Sequence, residues 1–261
     1  MNRVTALPAL DLRTRIKAAL IHLSGSAFVA GIAAALIFLL WYPWPYAALS
    51  GGSKLFLLIT GVDIVLGPAI TFAIFDLRKG WPHLRRDLAV IVVLQLAALG
   101  YGMHTMYLAR PVALALESNR FRVVAANDVI AEELGQAPAE LRALSITGPR
   151  QLRTITPTDA DELMKSIEMA LAGADLGTRP KYWRAWDDTA RRETRENGKP
   201  LKVLRTRYPA RAAELDEAVA RSGRSDDQLV FVPVISRHAD WVALIDKASG
   251  DVVGFAPFNA Y

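Results

Sequence analysis

The sequence contains no cysteine. Disulfides, thiolate nucleophiles and cysteine-ligated zinc or iron–sulfur centres are therefore excluded. Histidine is scarce. His22, His83, His104 and His238 are widely separated, and no two have the spacing of a metal pair on one helix. Phosphate-binding loops, nucleophile elbows and S-x-x-K pairs are missing. "GYGMHT" (residues 100–105) lacks the third glycine of a dinucleotide fingerprint. Charge is also nearly absent from three long stretches. "AALIHLSGSAFVAGIAAALIFLLW" (18–41) and "LAVIVVLQLAALGYGMHTMYLA" (88–109) hold no acid, lysine or arginine, and "LFLLITGVDIVLGPAITFAIF" (55–75) holds only Asp63.

What remains is strongly divided. Each of the three stretches meets the roughly 20 apolar residues a helix needs to cross the hydrocarbon core. They predict transmembrane helices at about 18–41, 55–75 and 88–109, so residues 1–109 form a membrane domain. The first run is basic at its start, like a signal peptide. It is too long for one, and it ends in "WYPWPY" rather than a small-x-small site, so a retained anchor is expected. Residues 1–109 carry nine Lys/Arg against four Asp/Glu, whereas residues 110–261 carry twenty-two of each. The basic excess thus belongs to the apolar half and reads as membrane topology; a nucleic-acid partner is not expected. Arg3, Arg13, Arg15 and Lys17 precede the first span, and Arg78, Lys79, Arg85 and Arg86 lie between the second and third. Only Lys54 lies between the first and second. This asymmetry puts the N-terminus and the second loop in the cytoplasm, and the first loop and residues 110–261 on the periplasmic side. Trp41, Tyr42, Trp44 and Tyr46 fall where the first span leaves the bilayer, the level such rings prefer.

Residues 110–261 read as a small α+β domain with antiparallel strands. "PVALALES" and "RFRVVAA" form a hairpin around "SNR". "NDVIAEEL" suggests a short helix capped by Asn127. "TPTDADELMKSIEMALAG" is a stronger helix, with Thr158 as cap, Leu163, Ile167 and Leu171 on one face, and Gly173 as its end. "KYWRAWDDTARRETRENG" is helical in part and stops at Gly198. "YPARAAELDEAVARSG" runs from Pro209 to Gly223. "LVFVPVIS", "DWVALID" and "DVVGFAPF" are the closing strands. The acid pairs Asp187–Asp188 and Asp226–Asp227 sit among basic and polar residues, as on a solvated surface.

The one conspicuous chemical group is Asp63. A charged side chain at a helix centre costs roughly 2.5–3.5 kcal/mol on the insertion scale, so it must face protein or water. Thr60, Asp63, Gly67 and Thr71 follow one another at +3, +4 and +4 and form one small, polar stripe. Gln95 in the third span, or His22, Ser24 and Ser26 in the first, are candidate partners for the carboxyl. Pro68 frees the carbonyl of Ile64, a further polar group to satisfy. Thr60, Asp63, Gly67, Pro68, Thr71 and Gln95 are therefore the candidate residues for a helix–helix or client contact. An intramembrane aspartyl protease needs two carboxylates at one site. Asp76 lies roughly 20 Å along the helix from Asp63, so that chemistry is not expected. No catalytic, cofactor or metal site is assigned, and the chain reads as a non-enzyme without a cofactor.

"FLLWYPWPY", "GVDIVLGPAITFAIF", "DLAVIVVLQLAALGYG", "YLARPVALALESNRFRVV", "ITGPRQL", "ALAGADLGTRPKYW" and "LIDKASGDVVGF" together resemble the TfpX/TfpZ-type type IV pilin accessory proteins, from about Arg13 to Phe258. The resemblance implies a bacterial inner-membrane accessory protein, a chaperone or assembly factor that stabilises a major pilin and promotes its assembly into type IV pili. Its implied partners are the major pilin, the lipid bilayer and other pilus assembly proteins, and it supplies no catalytic residues. The alternative reading is a membrane-anchored enzyme that modifies pilin or envelope glycans, motivated by acids such as Asp187 and Asp188.

Overall fold

The computed structural model describes residues 12–261, apart from the side chain of Lys79. Among these residues, three helices are long and apolar enough to cross a membrane. The first is α1 (Leu12–Leu36), which continues through a π-helical turn to Trp41. A short helix, α2 (Tyr46–Leu49), separates it from α3 (Gly52–Ile74), and α4 (Trp81–Leu108) follows. Lengths of 30, 23 and 28 residues fit the hydrocarbon thickness at about 1.5 Å per residue. Ile21, Phe28, Leu57, Leu58, Val65 and Leu94 are largely exposed, as lipid-facing side chains are. Trp81, expected in a loop, instead begins α4. That helix runs back through "WPHLRRD" because Pro82 lacks an N–H and is tolerated in a first turn.

The remaining elements are β1 (Pro111–Glu117), β2 (Arg120–Ala125), β3 (Arg150–Thr154), α5 (Ala160–Leu171), β4 (Trp183–Ala185), α6 (Asp188–Asn197), β5 (Lys199–Pro200), α7 (Lys202–Arg207), α8 (Ala212–Ser222), β6 (Leu229–Ile235), β7 (Trp241–Asp246) and β8 (Val252–Ala256). They build one sheet in the order β4-β3-β1-β2-β6-β7-β8, with β5 paired to β6. The β1–β2 and β6–β7–β8 pairings are antiparallel, as expected of hairpins. β3 joins β1 in parallel and β2 joins β6 in parallel, so the sheet is mixed.

Alternation at period 2 divides the side chains between two faces. Leu114, Leu116, Phe121, Val230, Val232, Val234 and Ile245 cover one face. Leu229, Phe231, Val242 and Leu244 meet Leu215, Ala218 and Val219 of α8 on the other, where Ala113, Ala115, Val124 and Leu152 meet Trp183. "NDVIAEEL" does not form an α-helix capped by Asn127. Ala126–Asp128 and Ala131–Gln136 are separate 3₁₀ turns. The reason is tertiary: the Ile130 N–H bonds to the Thr178 carbonyl, which holds Val129 and Ile130 extended between them.

The chain packs into two compact units. Among the described residues, one comprises those up to Leu36 with Lys54–Met106; the other comprises Ile37–Ser53 with Tyr107–Tyr261. The segment between the first two long helices therefore belongs to the sheet domain. Tyr46 and Leu49 of α2 lie in the same core as Val232 and Phe255. Tyr46 meets the Phe255 ring edge-on at 5.7 Å, and Ser236 Oγ donates to the Leu49 carbonyl at 2.6 Å. Burial raises the Tyr46 phenol well above its ordinary pKa.

Candidate functional site

Within the three-helix unit, polar groups from all three long helices converge. His22 of α1 has Nδ1 2.6 Å from Thr71 Oγ1 and Nε2 2.7 Å from Gln95 Oε1. Gln95 Nε2 of α4 donates to the backbone carbonyl of Asp63 in α3 at 3.1 Å. The amide oxygen of Gln95 can only accept, so His22 Nε2 must carry a proton. In the neutral ring Nδ1 then accepts from Thr71. The result is a directed chain from the Thr71 hydroxyl through His22 and the Gln95 amide to the Asp63 carbonyl. In a bilayer such groups have no water to turn to, which makes each link matter for assembly.

Gly67 makes the convergence possible. A Cβ at that position would overlap Gln95 Nε2 and stand 2.9 Å from His22 Nε2. Thr71 and Thr60 are both buried, and Thr60 Oγ1 bonds back to the Phe56 carbonyl at 2.8 Å. Pro68 lies inside a continuous α3. The structure thus brings Gly67, Thr71, Gln95 and the backbone of Asp63 together. It places Thr60 one turn away, bonded within its own helix. His22 completes the chain, whereas Ser24 turns back to the Leu20 carbonyl.

Two grooves flank this link. The larger, about 680 Å³, is lined by His22, Gly25, Thr60, Asp63, Thr71 and Gln95 among others. The second, about 590 Å³, runs between α3 and α4, and Asp63, Gly67 and Gln95 line it too. Among the described residues no lysine or arginine pairs with the Asp63 carboxyl, which opens onto both grooves. At one end of the bundle Arg15 NH1 donates to the last carbonyls of α3, Phe72 at 3.3 Å and Ala73 at 2.9 Å. Asp76 accepts from the Arg78 side chain and N–H, and Arg15 is nearby at 3.8 Å. Together these hold its carboxyl well below the usual range. Gly102 of α4 has a close approach to Ile59 of α3, a small-residue contact of the kind membrane helices use.

The acid pairs of the sheet domain have local structural work. Asp187 caps α6 through the Ala190 N–H at 2.8 Å and pairs with Arg153 at 3.3 Å. Asp188 is exposed beside Arg191. Asp226 pairs with Arg205 at 2.7 Å. Sequence reasoning missed a buried cluster around "GADLGTRPKYW". There Glu117 accepts the Gly177 N–H at 2.7 Å and is flanked by Arg120 and Arg122. Arg122 also bonds Asp175, and Trp183 Nε1 donates to the Gly177 carbonyl at 2.8 Å. The signal available was a glycine between Asp175 and an Arg-Pro dipeptide. Each cluster ties loop to strand.

These features define a membrane-anchored α+β protein whose three long helices share an internal polar link. Residues 10–51 match the sequence model of the fimbrial assembly protein FimB family. A fimbrial assembly protein of Dichelobacter nodosus serogroup I is 34% identical over 229 residues, covering 87% of this chain and 89% of that relative. Its serogroup E1 counterpart is 33% identical over the same extent. A third, from serogroups C1 and C2, is 42% identical over 117 residues, 45% of this chain and 89% of the relative. The chain belongs to the FimB family of fimbrial assembly proteins. No solved structure matches it.

Proposed function

We propose that this protein is an inner-membrane accessory factor that stabilises a type IV major pilin and promotes its assembly into fimbriae, as the resemblance to TfpX/TfpZ-type proteins implies. The observation that carries the reading is the likeness, over 87% of the chain, to relatives named as fimbrial assembly proteins. Charge asymmetry supports a cytoplasmic N-terminus and a periplasmic sheet domain. The packing of Tyr46 and Leu49 into that domain puts the first loop and the sheet domain on one side of the bilayer, in keeping with the two spans between them. A pilin subunit with an apolar helix in the bilayer and a head outside would meet both parts. In the membrane, its helix would lie in the groove floored by Thr60, Asp63, Thr71 and Gln95, where a hydrogen-bonding floor receives a polar group.

The test is co-purification. Full-length protein, tagged and solubilised from membranes of a fimbriated strain, should bring the major pilin with it. A deletion strain should lose pilin or surface fimbriae. Normal fimbriation in that strain would sink the reading, and a changed pilin mass would point to a modifying enzyme instead.

A further inference from the structure

Helix α5 is mounted the wrong way round for a surface helix. Such helices normally bury their apolar stripe and expose their polar face. Here Leu163 is 37% exposed, Met164 58%, Ile167 47% and Leu171 86%. At 100° per residue these four fall within one arc of about 100°. The buried side chain is Ser166. Its Oγ lies 3.0 Å from Tyr182 OH and accepts from Arg179 NH1 at 3.0 Å. Glu162 accepts from Lys181 at 2.6 Å and from Tyr182 OH at 3.0 Å. Arg179 is itself buried and pairs with Glu133 at 2.9 Å. The helix is therefore fixed to the domain by hydrogen bonds through its polar side, and its apolar stripe points away.

What covers the stripe can be argued from its edges. Asp161 and Glu168 are exposed beside it, and the helix carries three acids against Lys165. Helices that lie on lipid are instead rich in lysine and arginine, and anionic headgroups would repel this edge. A second copy of the chain, docked stripe to stripe with the two helices antiparallel about a two-fold axis, would set the same acidic edge against itself. An apolar surface edged by basic side chains suits it. We propose that the α5 stripe docks the fimbrial subunit of the reading above through such a surface on its head. The identity of the partner rests on that reading; the docking face rests on α5.

The test uses the full-length chain in fimbriated cells, with a photo-crosslinking amino acid at position 164 or 171 and, as control, at the exposed Val203 of α7. Adducts with the fimbrial subunit are expected from 164 and 171 and not from 203. Adducts with lipid or with a second copy alone, or none, overturn the docking face. In parallel, Met164→Glu with Leu171→Glu should lower co-purifying subunit at least tenfold at an unchanged thermal midpoint, since both positions are exposed. If the wild-type chain brings no subunit, the functional reading fails. If it does and the double variant does equally, that reading stands and the role of α5 is refuted.

Discussion

At the scale of single residues, the polar link rests on a missing side chain. Gly67→Ala puts a methyl group where Gln95 and His22 now sit, while Gly61→Ala in the same helix meets open space. We expect Gly67→Ala to lower stability by about 1–3 kcal/mol, as overpacking does, and Gly61→Ala to leave it nearly unchanged. Thermal unfolding in detergent measures both. Asp63→Asn should be tolerated better than Asp63→Leu, because an amide keeps a hydrogen-bonding group at the grooves; protein level and fimbriation report the ranking. A loss with Asn as steep as with Leu, at unchanged protein level, would assign the role to the charge. The stripe was legible because helical spacing is local: Thr60, Asp63, Gly67 and Thr71 must share a face. Which of His22, Ser24 and Ser26 would reach it was not legible, since that depends on how α1 is rotated against α3. Gln95 was legible as a partner of Asp63, but its bond to the Asp63 backbone carbonyl was not, because Gly67 sets how closely α4 approaches.

At the scale of elements, helix ends test the correction to the cap of α5. Asp159, not Thr158, accepts the N–H groups of Asp161 and Glu162, at 3.1 and 3.0 Å. Asp159→Ala should therefore destabilise the domain by about 1 kcal/mol and Thr158→Ala by much less, read from denaturant midpoints. The one-residue error is natural, because both residue types cap helices and only backbone geometry separates them. Strand β3 was invisible for a different reason: "RQLRT" has one large apolar residue, Leu152, and its pairing to β1 is non-local. Hairpin strands with continuous apolar runs were legible, as in β1–β2 and β6–β7. In the turn after β7, Asp246 accepts the Ala248 N–H at 2.9 Å and pairs with Arg224 at 3.0 Å, which lowers its pKa despite burial. A lowered folded-state pKa contributes stability above the unfolded value of about 4, and that contribution is lost as pH falls through the folded value. The thermal midpoint should thus drop below about pH 4, and Asp246→Asn should flatten that part of the profile.

At the scale of the whole molecule, the absence of native cysteine makes topology directly measurable. A single cysteine at Leu77 should react with a membrane-impermeant maleimide only after the cytoplasmic side is opened. One at Ala172 should react from the periplasmic side. The reverse pattern would invert the orientation. The three spans were legible because hydropathy is a property of each segment alone. The membership of residues 37–53 in the sheet domain was not, because aromatic residues in "WYPWPY" read equally well as an interfacial belt. Leu49→Ala, though in a loop between spans, should destabilise the sheet domain by about 2–5 kcal/mol, as a core truncation does. This placement also couples insertion to folding. Tyr46 and Leu49 are made before the second and third spans, whereas Phe255 is made near the end of the chain. The sheet cannot close its apolar face until both later spans have threaded correctly. A chain in which one of these two spans fails to cross would strand its two halves on opposite sides of the bilayer, leaving Val232 and Phe255 without Tyr46 and Leu49. The packing of the short helix α2 thus ties folding of the sheet domain to the crossing of both later spans.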